Sequence, residues 1–347
     1  MKLGGTGLAL AVLSAATFGT SGTFASSLID AGWSPAAAVL VRVSLSALLL
    51  TIPAIVALRG QWSLLRRSAP QVAGFGVFAV AGAQLCYFNA VQRMPVGVAM
   101  LLEYLGTILV VGWLWLRRGQ RPRPLTIGGA IAAIAGLAMV LNLTGSTSIN
   151  PVGVMWGLFA AVGLATFFVL SAHEDSEPLP PVAMAWSGMC VGAVMLAVFG
   201  LLHALPMAAS TSDVTIGGHR TSWLVPVLGL AVVAAAIPYI AGIAAARRLG
   251  AKLASFIGLA EVLFAILFAW LLLGQLPSIM QLFGGAAIVA GVTLVRIDEL
   301  KEPSAPAPLL PDAPVEPLAY EDISQGESLA VVASSYPERL SGPHELV

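Results

Sequence analysis

What most constrains the fold of this chain is a succession of long apolar segments, near residues 6–28, 35–57, 70–91, 95–117, 123–143, 150–171, 181–203, 222–246, 251–273 and 278–297. Each has the length needed to cross the roughly 30 Å hydrocarbon layer of a bilayer. Hydrophobic residues are 58% of the 347-residue chain and charged residues 10%, a composition outside that of soluble globular domains. A backbone in lipid must satisfy its own polar groups, and no ten-residue alternation of a membrane barrel is visible. The expected fold class is therefore an all-α integral membrane protein of ten transmembrane helices.

Shifted by 155 residues, the chain matches itself. Residues 93–140 recur at 248–295 without a gap, with 12 identities in 48 positions. Rarer pairs carry the match: Arg93/Arg248, Trp115/Trp270, Gly119/Gly274, Gln120/Gln275 and Pro122/Pro277. A duplication with an odd number of spans per copy places the copies upside down relative to each other, a construction common among secondary transporters. The expected organisation is one five-helix repeat at 1–143, an inverted second at 150–297, and a tail at 298–347. The first segment has the short basic start of a signal peptide, but five spans per copy require that it be retained. The tail holds 10 of the 17 acidic residues and 8 of the 22 prolines, against Lys301 and Arg339 as its only bases. It is expected to be a disordered cytoplasmic segment.

With the N-terminus inside, the short inner loops carry Lys2, Arg59, Arg66, Arg67, Arg117, Arg118, Arg121, Arg123, Arg247, Arg248, Lys252 and Arg296, and the outer loops only Arg93 and Arg220. This asymmetry predicts a multi-pass protein of the cell membrane with both termini cytoplasmic. The acidic stretch of His173, Glu174, Asp175 and Glu177 fits no metal-ligand spacing and reads as a solvated loop. The longer loop at 204–221 reads as a solvated connection. Cys86 and Cys190 fall inside spans and read as packing residues. No Walker A loop, HExxH or dinucleotide glycine pattern is present, so no enzyme activity and no cofactor are expected, and no basic aromatic-rich surface suggests nucleic acid.

Ionisable groups in the hydrocarbon region are expensive, and each needs a reason. Arg42, Glu103 and Glu261 are such groups. At 1.5 Å per residue, Arg42 lies roughly 10 Å and Glu103 roughly 12 Å below the outer face, close enough in depth for an ion pair, and Glu261 lies roughly 15 Å deep. They line a substrate cavity on one reading and fix helix packing on the other. Around them Gln84, Tyr87, Asn89, Tyr104 and Tyr239, with Thr17 and Ser21 of the first span, form a polar layer open to the same two readings.

Tyr87 to Val110, with Asn89-Ala90, Met94-Pro95-Val96-Gly97-Val98-Ala99 and Leu102-Glu103-Tyr104-Leu105-Gly106, resembles the EamA-type drug/metabolite transporters and looks closest to the threonine/homoserine exporter branch. Arg42, Glu261 and the Gly-Gln turns at 119–120 and 274–275 add to the resemblance, which covers about residues 6–297. Thr107 and Val262 stand where that family commonly has proline. The resemblance implies two inverted five-helix repeats around a central cavity and export of small polar metabolites such as amino acids by alternating access, coupled to protons. The implied partners are a small-molecule substrate, the lipid bilayer and protons, with a homodimer as the oligomeric option. The alternatives are a multidrug efflux carrier for cationic compounds and a non-transporting sensor or scaffold that recruits a partner through its tail. An alkaline phosphatase fused at Val347 is expected to be inactive and one inserted after Arg220 active; the reverse pattern would overturn the orientation.

Overall fold

The computed structural model describes residues 2–94, 96–119, 121–140, 150–173, 178–273 and 278–300. Pro95, Gln120, the acidic residues Glu174, Asp175 and Glu177, the Gly274-Gln275 turn and the tail beyond residue 300 lie outside them. The apolar segments form helices: α1 (Lys2–Phe18), α2 (Ser21–Asp30), α3 (Pro35–Ala57), α4 (Trp62–Arg67), α5 (Ala69–Gly74), α6 (Ala83–Val91), α7 (Val96–Tyr104), α8 (Gly106–Arg118), α9 (Pro124–Val140), α10 (Pro151–Ser171), α11 (Pro181–Leu201), α12 (Leu224–Leu228), α13 (Ile237–Gly258), α14 (Ala260–Leu273) and α15 (Ile279–Leu300). Two eight-residue π-helical stretches, Phe75–Gly82 and Gly229–Ala236, join α5 to α6 and α12 to α13. Helix starts follow from local chemistry. The Ser34 hydroxyl accepts the Ala37 N–H ahead of Pro35, and the Asn150 side chain accepts the Val152 and Gly153 N–H groups ahead of Pro151.

Among the described residues, eight helical stretches are long and apolar enough to cross a membrane. The difference from the ten expected has two sources. α9 is only 17 residues long, and the segment expected at 251–273 is split, its start joined to the 35-residue stretch Leu224–Gly258 and its remainder forming the 14-residue α14. That stretch is not one straight helix. Gly250, at φ 78° and ψ 160°, takes a backbone conformation that side chains disfavour and kinks the chain.

The loop at 204–221 is more built than its polarity suggested. Val214–Ile216 (β1) and His219–Thr221 (β2) pair antiparallel across the positive-φ glycines Gly217 and Gly218. The loop is tied to the start of α3 by the Trp33 indole, which donates to the Ser210 carbonyl at 2.7 Å, and by Ser34, whose N–H donates to the Ala208 carbonyl at 2.9 Å. Short polar residues became structure here because anchors 174 to 177 positions away supplied partners, which local composition does not reveal.

Packing between distant segments builds the core. α1 lies along α13, α3 along α11, α6 along α10 and α9 along α15. In the last pair backbones touch. A Cβ on Gly129 would lie 2.7 Å from the Gly291 carbonyl oxygen, and one on Gly136 would lie 2.6 Å from that of Gly284. The earlier glycine meets the later one, so α9 and α15 run antiparallel. Small residues permit such approach where lipid supplies no hydrophobic drive between helices. Gly136→Val should destabilise the protein by about 1–3 kcal/mol through overpacking. Gly128→Val should be near neutral, since nothing lies within 4 Å of the added atom; unfolding in mixed detergent micelles measures both.

Candidate functional site

The interior polar groups converge because two long helical paths are interrupted. α7 ends at Tyr104 and α8 begins at Gly106; α13 ends at Gly258 and α14 begins at Ala260. At each interruption the backbone tightens to an i→i−3 bond, Leu105 N–H to the Leu102 carbonyl at 3.2 Å and Leu259 N–H to the Phe256 carbonyl at 3.2 Å. The two breaks meet. The Tyr104 hydroxyl donates to a Glu261 carboxylate oxygen at 2.7 Å and lies 3.3 Å from the Gly258 carbonyl. Gly19, between α1 and α2, lets the first span close on the same point: a Cβ there would lie 2.9 Å from the Glu261 carbonyl oxygen.

A cavity of about 60 Å³ opens here, and Gln84, Tyr87, Glu103, Tyr104, Tyr239 and Glu261 line it. Glu103 and Glu261 are half-buried, and the three tyrosines are buried. Among the described residues Glu103 makes no hydrogen bond or ion pair, whereas Glu261 is held by Tyr104. The cavity therefore presents two carboxylates of different status. Its remaining wall is largely aromatic and aliphatic. Phe18, Phe75 and Phe167 surround the Tyr239 ring at centroid distances of 5.4, 6.2 and 5.5 Å in edge-on geometry.

Arg42 is 1% exposed and stands behind this wall. It does not pair with Glu103 as its depth had suggested. Its guanidinium donates instead to the Ser21 hydroxyl at 3.0 Å, the Gln84 side-chain oxygen and the Ala234 carbonyl. The last bond has a cause in the sequence. Pro238 has no N–H, so the carbonyls at the end of this π-helical stretch are one backbone donor short. The Arg42 fork supplies the replacement from the other half of the chain. The Ser46 hydroxyl donates in the same way to the Ala231 carbonyl at 2.8 Å, and the Tyr239 hydroxyl to the Ala79 carbonyl at 3.1 Å. Each π-helical stretch thus has carbonyls satisfied by side chains from the opposite half.

Asn89 is not brought to the cavity. Its amide donates to the Leu85 carbonyl, and its oxygen accepts from Arg93 at 3.0 Å. Conversely, Ser14, Phe18, Phe167 and Phe168 line the cavity although nothing marked them beforehand. A phenylalanine in an apolar span looks the same whether it meets lipid or a cavity. Chemically, the site offers carboxylates for a cationic group or a proton, hydroxyls and an amide for polar groups, and rings for a small apolar moiety.

Residues 5–142 and 151–297 both match the sequence model of the EamA-like transporter family. An "Uncharacterized transporter" of Archaeoglobus fulgidus is 26% identical over 208 residues, which cover 60% of this chain and 70% of that protein. A solved structure described only as "Crystal structure of protein" superposes with a TM-score of 0.68 at 21% identity, over 86% of this chain and 99% of the other, a likeness of fold.

Removing the guanidinium leaves several buried groups without partners, so Arg42→Met should lower the unfolding free energy by about 1–3 kcal/mol. Pro238→Ala returns a backbone N–H to the end of the π-helical stretch and should recover part of that loss. A double-mutant cycle measured by detergent unfolding tests the link, and strictly additive effects would break it.

Proposed function

We infer that this chain, which belongs to the EamA-like transporter family, is a secondary-active carrier exporting small polar metabolites that bear an ammonium group, amino acids of the threonine/homoserine type, across the cell membrane in exchange for protons. One observation carries this reading: two carboxylates face a single cavity where two interrupted helices cross, and one of them, Glu103, has no hydrogen-bond partner among the described residues. A carboxylate in a low-dielectric site binds an ammonium group or a proton, and a group that cannot hold both at once couples their movement in opposite directions. The cavity hydroxyls suit the remaining polar groups of such a solute.

The architecture behind this reading is ten spans in two inverted five-span repeats, at 1–143 and 150–297, with both termini cytoplasmic. Several features support it. Gly250 kinks the 35-residue stretch, and the residues after it, continued past the break at Leu259 by α14, give the length of a separate crossing. The glycines in contact between α9 and α15 are the pairs Gly129/Gly284 and Gly136/Gly291 of the 155-residue match. Exchanging the halves turns each contact into the other, and antiparallel packing of equivalent helices is what inversion requires. Alternating access is then a rocking of the halves about the fixed cavity.

Efflux of cationic drugs is the second reading, favoured by the ring of aromatics beside the carboxylates. A 60 Å³ cavity weighs against it, because drug-sized ligands occupy pockets of roughly 300–1,000 Å³. In vesicles holding the purified protein, threonine or homoserine counterflow is expected, accelerated by an opposing pH gradient, and a cationic dye should not move. Glu103→Gln and Glu261→Gln should each cut gradient-driven transport about tenfold or more, the worth of one charge-assisted hydrogen bond. Unchanged transport in both variants would refute the assignment, and dye movement without amino-acid movement would establish the second reading.

A further inference from the structure

Arg42 does not line the cavity, but two groups that accept from it do: the Ser21 hydroxyl, at 3.0 Å, and the Gln84 side-chain oxygen. A guanidinium has donors and no acceptor, so it decides which way each of these neighbours faces. An amide whose oxygen is held by Arg42 turns its nitrogen elsewhere. A hydroxyl that accepts from Arg42 keeps its own proton to give. The Tyr239 hydroxyl, which donates to the Ala79 carbonyl, can accept one Gln84 hydrogen. The second amide hydrogen and the Ser21 proton have no acceptor among the described residues, and both side chains border the cavity.

We propose that Gln84 and Ser21 form a subsite for the carboxylate of the carried solute, with Arg42 behind them as the residue that positions both donors. The proposal rests on the reading of the chain as a carrier of ammonium-bearing metabolites, and it makes the solute a zwitterion. Its ammonium group meets Glu103 or Glu261, and its carboxylate meets Gln84 and Ser21. The donors stand on α2 and α6 and the carboxylates on α7 and α14, so one bound solute joins four segments around the cavity.

Two features select an anionic group rather than another hydroxyl. Both donors continue hydrogen-bond chains that begin at one buried cation, and each bond in such a chain polarises the next. The charge of Arg42 is met by the Ser21 hydroxyl, the Gln84 amide and the Ala234 carbonyl, all neutral. A buried positive charge compensated by dipoles alone still attracts an anion across them, more strongly than it would in water.

Three ligands separate the claims: threonine, threoninol, which has a hydroxymethyl group in place of the carboxylate, and 3-hydroxybutyrate, which lacks the amine. Isothermal titration of the full chain in lipid nanodiscs should show threonine binding about tenfold or more tightly than threoninol, the worth of one charge-assisted hydrogen bond. Gln84→Glu keeps an oxygen for Arg42 but replaces both amide hydrogens by an acceptor, and the preference for threonine should vanish or invert. In Arg42→Met the amide is released to turn, and the preference should fall as well. A purely structural role for Arg42 would weaken both amines alike and leave their ratio unchanged. Threoninol binding to the wild type as tightly as threonine would overturn the subsite and leave the ammonium reading intact. Strong 3-hydroxybutyrate binding beside weak threoninol binding would do the reverse, sustaining the subsite and refuting the ammonium reading. An unchanged ratio in Gln84→Glu, or binding of none of the three ligands, would overturn the proposal.

Discussion

Burying a guanidinium without a carboxylate partner is the interaction on which the rest of the interior depends. In a low-dielectric setting the two terminal nitrogens of Arg42 are spent on strong acceptors. It finds the Ser21 hydroxyl, the Gln84 amide oxygen and the Ala234 carbonyl, at the end of a stretch that Pro238 leaves one backbone donor short. Those acceptors sit on α2, α6 and the second π-helical stretch, so one side chain fixes the mutual position of four segments. Because its positive charge is met by neutral dipoles, neither cavity carboxylate is neutralised by an ion pair with it. Had Arg42 paired with Glu103, neither cavity carboxylate would be without a partner among the described residues.

Breaks and close contacts divide the remaining work. Interrupting α7/α8 and α13/α14 at one crossing gives Tyr104 a route to the Gly258 carbonyl and to Glu261 in the first turn of α14. A negative charge in a first helical turn is favourably placed. Glycines set the frame at the far side, where α9 and α15 meet backbone to backbone. Rigid contact at one place and irregular backbone at another is the combination a moving carrier needs. Irregular backbone is tolerable at membrane depth only where protein or a cavity surrounds it.

Much of this was legible in residue patterns, for identifiable reasons. Length and hydropathy reveal helices because the bilayer permits little else, whereas the contacts of Gly129 and Gly136 with Gly291 and Gly284 were not marked beforehand, since glycine is abundant throughout the chain. Glu103, Tyr104 and Glu261 stood out because polar groups are costly in an apolar run, and they do share one cavity. What could not be read was direction. Arg42 and Glu103 matched in depth, yet helix rotation turns the guanidinium to Gln84 and Ala234. Asn89 faces Arg93 rather than the cavity for the same reason. The π-helical stretches and the aromatic ring around Tyr239 carry no local signal, since alanine, valine and phenylalanine fill α-helical spans equally well.

Access to the cavity from both sides tests the central claim most directly. Ser14 lines the cavity, and Ser14→Cys in a background without Cys86 and Cys190 places one thiol there at little cost in shape. Treated with a membrane-impermeant maleimide from one side of sealed vesicles and then from the other, this thiol should react from either side, more slowly when threonine or homoserine is present. Labelling from one side alone, whatever the substrate or pH gradient, would contradict an alternating-access carrier built on this cavity.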